Sequence, residues 1–83
     1  MTETIELELR SLLPGVADSR DACVARLREL LAAKRGIEAA HVVEAEAGAT
    51  GRICIHFDQA NLSLGQIREL ARRAGVELEE RYG

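Results

Sequence analysis

The sequence predicts an α+β domain in which two helices cover one face of a four-stranded antiparallel sheet. Segments that alternate apolar and polar residues come in the order strand, helix, strand, strand, helix, strand, and the two helical segments carry apolar residues at three-and-four spacing. With one Phe and one Tyr in 83 residues, the core must consist of Leu, Ile, Val and Ala. Two right-handed βαβ units in this order give the ferredoxin-like βαββαβ arrangement, so residues 1–83 are predicted to form a single domain.

The first half of the chain supplies one strand and one helix. Residues 4–9 (TIELEL) alternate apolar and acidic side chains and predict a half-buried strand. Residues 11–17 (SLLPGVA) read as a connection because they contain a Pro-Gly turn. The first helix follows, with Asp18 or Ser19 as its N-cap and Gly36 as its stop.

The middle of the chain predicts a hairpin. Residues 37–46 and 53–58 form its strands, and the sequence GATG at 48–51 forms its loop. In the simplest register around that loop, His41 lies opposite Asp58 and Val43 opposite His56.

A second helix and a fourth strand complete the predicted fold. Ser63 and Gln66 have the spacing of a capping box, Gly75 is expected to end the helix, and residues 76–79 (VELE) alternate like the first strand. If the first and fourth strands are neighbours, four carboxylates share the open sheet face: Glu6, Glu8, Glu77 and Glu79. The predicted core contains Leu7, Leu27, Leu31, Ile55, Phe57, Ile67 and Leu70.

Composition excludes several functional classes. The net charge of −3 and the lack of a basic patch interleaved with aromatic residues argue against nucleic-acid binding. No apolar run approaches the roughly 18–20 residues of a membrane span, so no direct membrane contact is expected. Two distant cysteines predict reduced thiols in the cytoplasm. Without a nucleophile paired with a base, we expect that this chain is not itself an enzyme.

One candidate metal site lies at the start of the first helix. Cys23 is in the first turn, where the helix dipole favours a thiolate, and Arg20 favours it further. Because one thiolate cannot chelate alone, Asp18, Asp21 or a second chain would have to supply the additional ligands. The alternative is that Cys23 is a small apolar residue packed under the helix.

A second candidate site lies on the open face of the sheet. Cys54 and His56 are two residues apart in one strand, so both side chains project from the same face. His41 and Asp58 join them in the predicted hairpin, which gives a cluster of borderline-metal ligands. The alternative is that these polar side chains are simply exposed.

The chain resembles a heavy-metal-associated domain, the small metal-binding module of metallochaperones and of the N-terminal extensions of metal-pumping P-type ATPases. The resemblance rests on the Ala-Cys-Val-Ala-Arg-Leu segment at 22–27, on Gly36-Ile37, on the apolar alternation of 53–57 and on Ala74-Gly75. It covers nearly the whole chain and implies the same ferredoxin-like fold. The family motif Gly-Met-x-Cys-x-x-Cys is degenerate here: Arg20 stands at its first cysteine, and Ala17 and Asp18 replace its Gly and Met.

The resemblance implies a cytosolic regulatory or accessory domain of a heavy-metal cation-transporting P-type ATPase. The bound ion would be Zn, Cd or Cu, the partner the remainder of the ATPase, and the state a monomer or weak dimer. The missing cysteine implies weak or atypical metal binding. The alternatives are a free-standing metallochaperone-like carrier and a ferredoxin-like protein–protein interaction module that binds no metal.

Overall fold

The computed structural model describes residues 1–44 and 50–82, which form one antiparallel sheet and three helices. The elements are β1 (Thr2–Glu8), α1 (Leu9–Leu12), α2 (Ala22–Ala32), β2 (Ile37–Val43), β3 (Arg52–Asp58) and α3 (Leu64–Tyr82). The strand order is β1-β3-β2, with β3 in the centre. The α+β class and the antiparallel sheet are therefore confirmed, and the arrangement is consistent with a ferredoxin-like fold.

The prediction of a fourth strand at residues 76–79 is wrong. Helix α3 runs for 19 residues through Gly75 and through the segment at 76–79. The buried residues of α3 continue at helical spacing beyond the expected stop: Ile67, Ala71, Ala74, Gly75 and Leu78. Burial of Leu78 at this spacing stabilises the helix where the four-residue alternation had indicated a strand.

Without a fourth strand, the predicted cluster of four carboxylates does not form. Glu6 and Glu8 lie on β1, but Glu77 and Glu79 lie on α3. Glu77 makes an i,i+4 ion pair of 3.3 Å with Arg81 along that helix.

Helix α1 replaces the end of the predicted first strand and part of the predicted connection. Leu9 and Leu13 are both fully buried, and the Leu13 N–H donates to the Leu9 carbonyl at 2.7 Å. One helical turn places both leucines in the core, because residues four apart lie one above the other on the same face of a helix.

Helix α2 begins later than predicted. Its N-cap is Asp21, whose carboxylate accepts a hydrogen bond from the Cys23 N–H at 2.8 Å. Gly36 has a positive φ of 93° as predicted, but the helix already ends at Ala32. The predicted capping box of α3 is confirmed, with reciprocal bonds between Ser63 and Gln66 of 2.8 and 3.2 Å.

The three helices cover one face of the sheet, and the other face is open. All the residues predicted for the core lie in or against one cluster, although Leu7 and Leu70 are only partly buried. That cluster includes Ile5, Ile53, Ile55 and Phe57 from the sheet. The opposite faces of β1 and β3 carry the intervening residues, among them Cys54 and His56, which the sequence predicted to point away from the helices.

Strand β2 is shorter than predicted. It ends at Val43, and much of the predicted loop and the end of the predicted strand fall at 45–49, outside the described residues. Gly51, with φ of 99°, directly precedes β3.

Candidate metal-binding site

The register of β2 on β3 places His41 directly opposite Cys54. The predicted pairing of His41 with Asp58 and of Val43 with His56 is therefore wrong. The observed register pairs apolar residues on the core side: Ile37 with Phe57, Ala40 with Ile55 and Val42 with Ile53. Because the shift from Asp58 to Cys54 is an even number of residues, His41 nevertheless stays on the open face.

His41, Cys54 and His56 converge on that face. One ligand atom from each lies within 4.8 Å of those of the other two. The Cys54 Sγ atom is 3.8 Å from Nε2 of His56. The imidazole rings of His41 and His56 are stacked, with centroids 5.1 Å apart and planes inclined at 27°.

A hydrogen bond from β1 fixes the orientation of His56. The Thr4 hydroxyl lies 2.9 Å from Nδ1 of His56, and the two residues are opposite each other in the β1–β3 pairing. When Nδ1 carries the proton and donates it to Thr4, Nε2 presents a lone pair on the side of Cys54. This is the tautomer that a metal ion bound at Nε2 requires.

The environment of Cys54 opposes a free thiolate. Its side chain is 6% exposed, and burial raises the pKa of the thiol, as does the negative charge of Glu6. Glu6 is the cross-strand neighbour of Cys54 on β1, as His41 is on β2. A bound cation would supply the positive charge that this thiolate lacks.

The donor set fits a borderline divalent metal. Thiolate sulfur and imidazole nitrogen are the ligands of zinc sites, including sites with three protein ligands. Ligand atoms around a tetrahedral zinc ion are roughly 3.3–3.6 Å apart, as follows from its bond lengths. The Cys54–His56 separation is close to this value. The widest separation in the cluster closes through a side-chain adjustment of about 1 Å.

The predicted helix-terminal ligands have a different arrangement. The Asp18 carboxylate accepts the Arg20 N–H at 2.8 Å, and the Asp21 carboxylate caps α2 through Cys23. Cys23 is half-buried and packs against the hydrophobic core. Within residues 1–44 and 50–82, three ligand atoms from this segment do not converge as they do on the sheet. Metal binding by Cys23, Asp18 and Asp21 stays a prediction.

Asp58 has a local structural role at the end of β3. Its carboxylate accepts hydrogen bonds from the Ala60 N–H at 3.0 Å and from Nδ2 of Asn61 at 2.9 Å. It also lies 3.6 Å from the N-terminal amino group. The structure does not bring Asp58 into the cluster of His41, Cys54 and His56.

Sequence reasoning placed Glu6 on the open sheet face but did not connect Glu6 or Thr4 with the cluster that they flank or contact. Both lie on the polar face of the alternating first strand, so their direction was predictable. The pairing of β1 with β3, which brings them beside His56 and Cys54, is a long-range feature of the fold.

The chain is thus a small α+β domain with a thiol–imidazole cluster on the open face of its sheet. It matches no protein-family profile and no curated protein. Among solved structures, it is similar to the N-terminal extension from Cupriavidus metallidurans CzcP, with 44% sequence identity and a TM-score of 0.91. The match covers 99% of this chain and 56% of that chain, so this chain spans little more than half the length of its neighbour.

Within the part of the chain that the structure describes, no helix has the length and apolar character of a membrane span.

Proposed function

We propose that this chain is an accessory domain in the N-terminal region of a heavy-metal-transporting P-type ATPase, and that it binds a divalent metal through His41, Cys54 and His56. The convergence of these three side chains is the observation that carries the metal-binding part of the proposal. The similarity to an N-terminal extension and the resemblance to heavy-metal-associated domains support the accessory role.

The ligand set determines which ion we expect. Zinc and cadmium accept mixed nitrogen and sulfur ligands, whereas tight Cu(I) binding in small domains uses paired thiolates. Cys54 is the only thiol in the cluster, and Cys23 is alone at the start of α2. We therefore expect binding of Zn(II) or Cd(II), and much weaker Cu(I) binding than in a relative with two cysteines.

The proposed role places the domain in the cytoplasm, with the remainder of the transporter as its partner. The domain senses or buffers the transported ion and performs no chemistry itself. The open sheet face is suited to this role because His41 is solvent-exposed and His56 is half-buried, so the two imidazoles are accessible from outside while Cys54 is buried. A metal held there exchanges with a partner without unfolding of the domain.

Metal titration of the isolated domain, followed by amide NMR, tests the site. Zn(II) should perturb the amides of β2 and β3 around His41, Cys54 and His56, and Cys54→Ala should abolish these perturbations. Cys23→Ser is the matched control and should leave them unchanged. Loss of binding in Cys23→Ser, with binding retained in Cys54→Ala, would assign the metal to the start of α2 instead.

The accessory role requires the full-length protein. Metal transport into vesicles should persist in the Cys54→Ala variant, with an altered dependence on metal concentration. Complete loss of transport in a folded protein would mean that the site lies on the obligatory path of the ion. An unchanged dependence would mean that the domain does not regulate transport through this site.

A further inference from the structure

The three converging side chains leave open the question of what completes the coordination of a bound ion. Zinc and similar ions commonly take four ligands, and sites with three protein ligands add a water or another exchangeable group. Neutral imidazoles from His41 and His56 and a thiolate from Cys54 would balance only one of the two charges of a divalent ion. An additional carboxylate would balance the second charge.

Glu6 lies at the position from which such a ligand would come. It is directly opposite Cys54 on β1, on the side away from His41. Directly opposed residues have Cβ atoms about 4.5–5.5 Å apart, a distance that a glutamate side chain spans.

Arg52, the present partner of the Glu6 carboxylate, holds it only weakly. The Oε1 atom of Glu6 lies 3.5 Å from Nε of Arg52, and the two side chains are 46% and 57% exposed. An exposed ion pair of this length is screened by water and salt and is easily exchanged. The carboxylate can therefore rotate from Arg52 towards Cys54 at little cost.

We propose that Glu6 is a further ligand of a divalent metal held by His41, Cys54 and His56, and that Arg52 holds this carboxylate when the metal is absent. The proposal rests on the function proposed above. It also gives Glu6 a role in specificity: a thiolate and a carboxylate together neutralise a divalent ion, whereas monovalent copper would be left with excess negative charge and a hard oxygen ligand.

Neighbouring residues provide matched controls. Glu8 lies on the same face of β1 but is opposite Arg52, two residue pairs farther from His56 than Glu6. Glu8→Gln thus removes the same charge from the same strand without removing a group beside Cys54. Arg52→Met removes the competing cation and keeps much of the side-chain volume.

Cobalt(II) absorption tests the proposal, because its visible spectrum reports the number and type of ligands. Glu6→Gln should change the spectrum of the bound cobalt, because a ligand is removed, and should weaken Zn(II) binding by more than the about 10–100-fold loss typical of an outer-shell partner. Glu8→Gln should leave the spectrum unchanged. Arg52→Met alone should tighten Zn(II) binding. Combined with Glu6→Gln, it should have no such effect.

The outcomes separate this proposal from the function on which it rests. If the unaltered domain binds cobalt and Glu6→Gln gives the same spectrum and affinity, Glu6 is not a ligand, but the His–Cys site stands. Equal weakening by Glu6→Gln and Glu8→Gln with unchanged spectra would also overturn the proposal, because it would indicate a general effect of charge. If the unaltered folded domain binds neither Co(II) nor Zn(II), both proposals are wrong.

Discussion

The hydroxyl of Thr4 on β1 lies 2.9 Å from Nδ1 of His56 on β3, and the same imidazole presents Nε2 to Cys54 at 3.8 Å. One side chain outside the cluster thereby holds the ring of His56 in the orientation that directs Nε2 towards Cys54. Outer-shell contacts of this kind orient metal-binding histidines and increase the affinity of the site.

Replacement of Thr4 should therefore weaken metal binding without removing a ligand. Thr4→Val keeps the β-branched shape but loses the hydroxyl, so the ring of His56 becomes free to rotate. We expect Zn(II) affinity to fall by about 10–100-fold in a competition titration.

Thr2→Val is the control for this substitution. Thr2 lies on the same face of β1, and its hydroxyl bonds to Glu38 rather than to the cluster. Its replacement should leave the affinity unchanged. Equal effects of the two substitutions would show that the Thr4 contact does not position His56.

The site was largely predictable from the sequence because the pleat of a strand fixes the direction of its side chains. The spacing of Cys54 and His56 placed both on one face, and the hairpin brought His41 to the same face. The exact register was not predictable, since it depends on how Ile37 and its neighbours pair with β3 in the core. The incorrect register also placed Asp58 opposite His41 and so within the predicted cluster. Asp58 instead caps the turn after the strand.

The error at the C-terminal end of the chain has a specific physical cause. Gly75 was interpreted as a helix stop, but glycine also occurs where another backbone approaches closely. Here Gly75 is buried in α3 against the backbone of Leu12 in α1. Sequence alone does not distinguish these two uses, because the second depends on the packing of α1 on α3.

This close approach predicts that Gly75→Ala is destabilising. An added Cβ would lie 3.1 Å from the carbonyl carbon of Leu12 and still closer to its oxygen, so one helix must move. We expect a loss of about 1–3 kcal/mol in the free energy of unfolding, as is typical of overpacking. Urea denaturation followed by circular dichroism measures it.

Gly65→Ala is the matched control within the same helix. Its added Cβ would meet only Oγ of Ser63, at an ordinary distance of 3.9 Å. The higher helix propensity of alanine should stabilise α3 by up to about 1 kcal/mol. Stabilisation by both substitutions would contradict the packing of α1 against Gly75.

The extension of α3 through residues 76–79 makes a separate prediction about Leu78 and Val76. Leu78 is 3% exposed, whereas Val76 is 47% exposed. Leu78→Ala should cost about 2–5 kcal/mol in the free energy of unfolding, because it opens a cavity in the core. Val76→Ala should cost less than about 0.5 kcal/mol, as is usual for surface substitutions. A larger loss for Val76→Ala would favour the alternating strand that the sequence had indicated.

The two cysteines should differ in their reaction with an alkylating reagent, and metal should affect only one of them. Cys54 is buried, and burial together with Glu6 raises the pKa of its thiol, so little thiolate is present at neutral pH. Cys23 is only half-buried and follows the N-cap of α2, so it should be labelled faster. Raising the pH should accelerate labelling of Cys54 as its thiol ionises.

Labelling with and without Zn(II), followed by mass spectrometry of the peptides, measures these rates. Saturating Zn(II) should protect Cys54, because a metal-bound sulfur is no longer a free nucleophile, and should leave the rate at Cys23 unchanged. His41→Ala should reduce the protection of Cys54 by lowering metal affinity, without altering the rate at Cys23. Protection of Cys23 instead would place the metal at the start of α2, beside Asp18 and Asp21, and would contradict the assignment of the sheet face as the binding site.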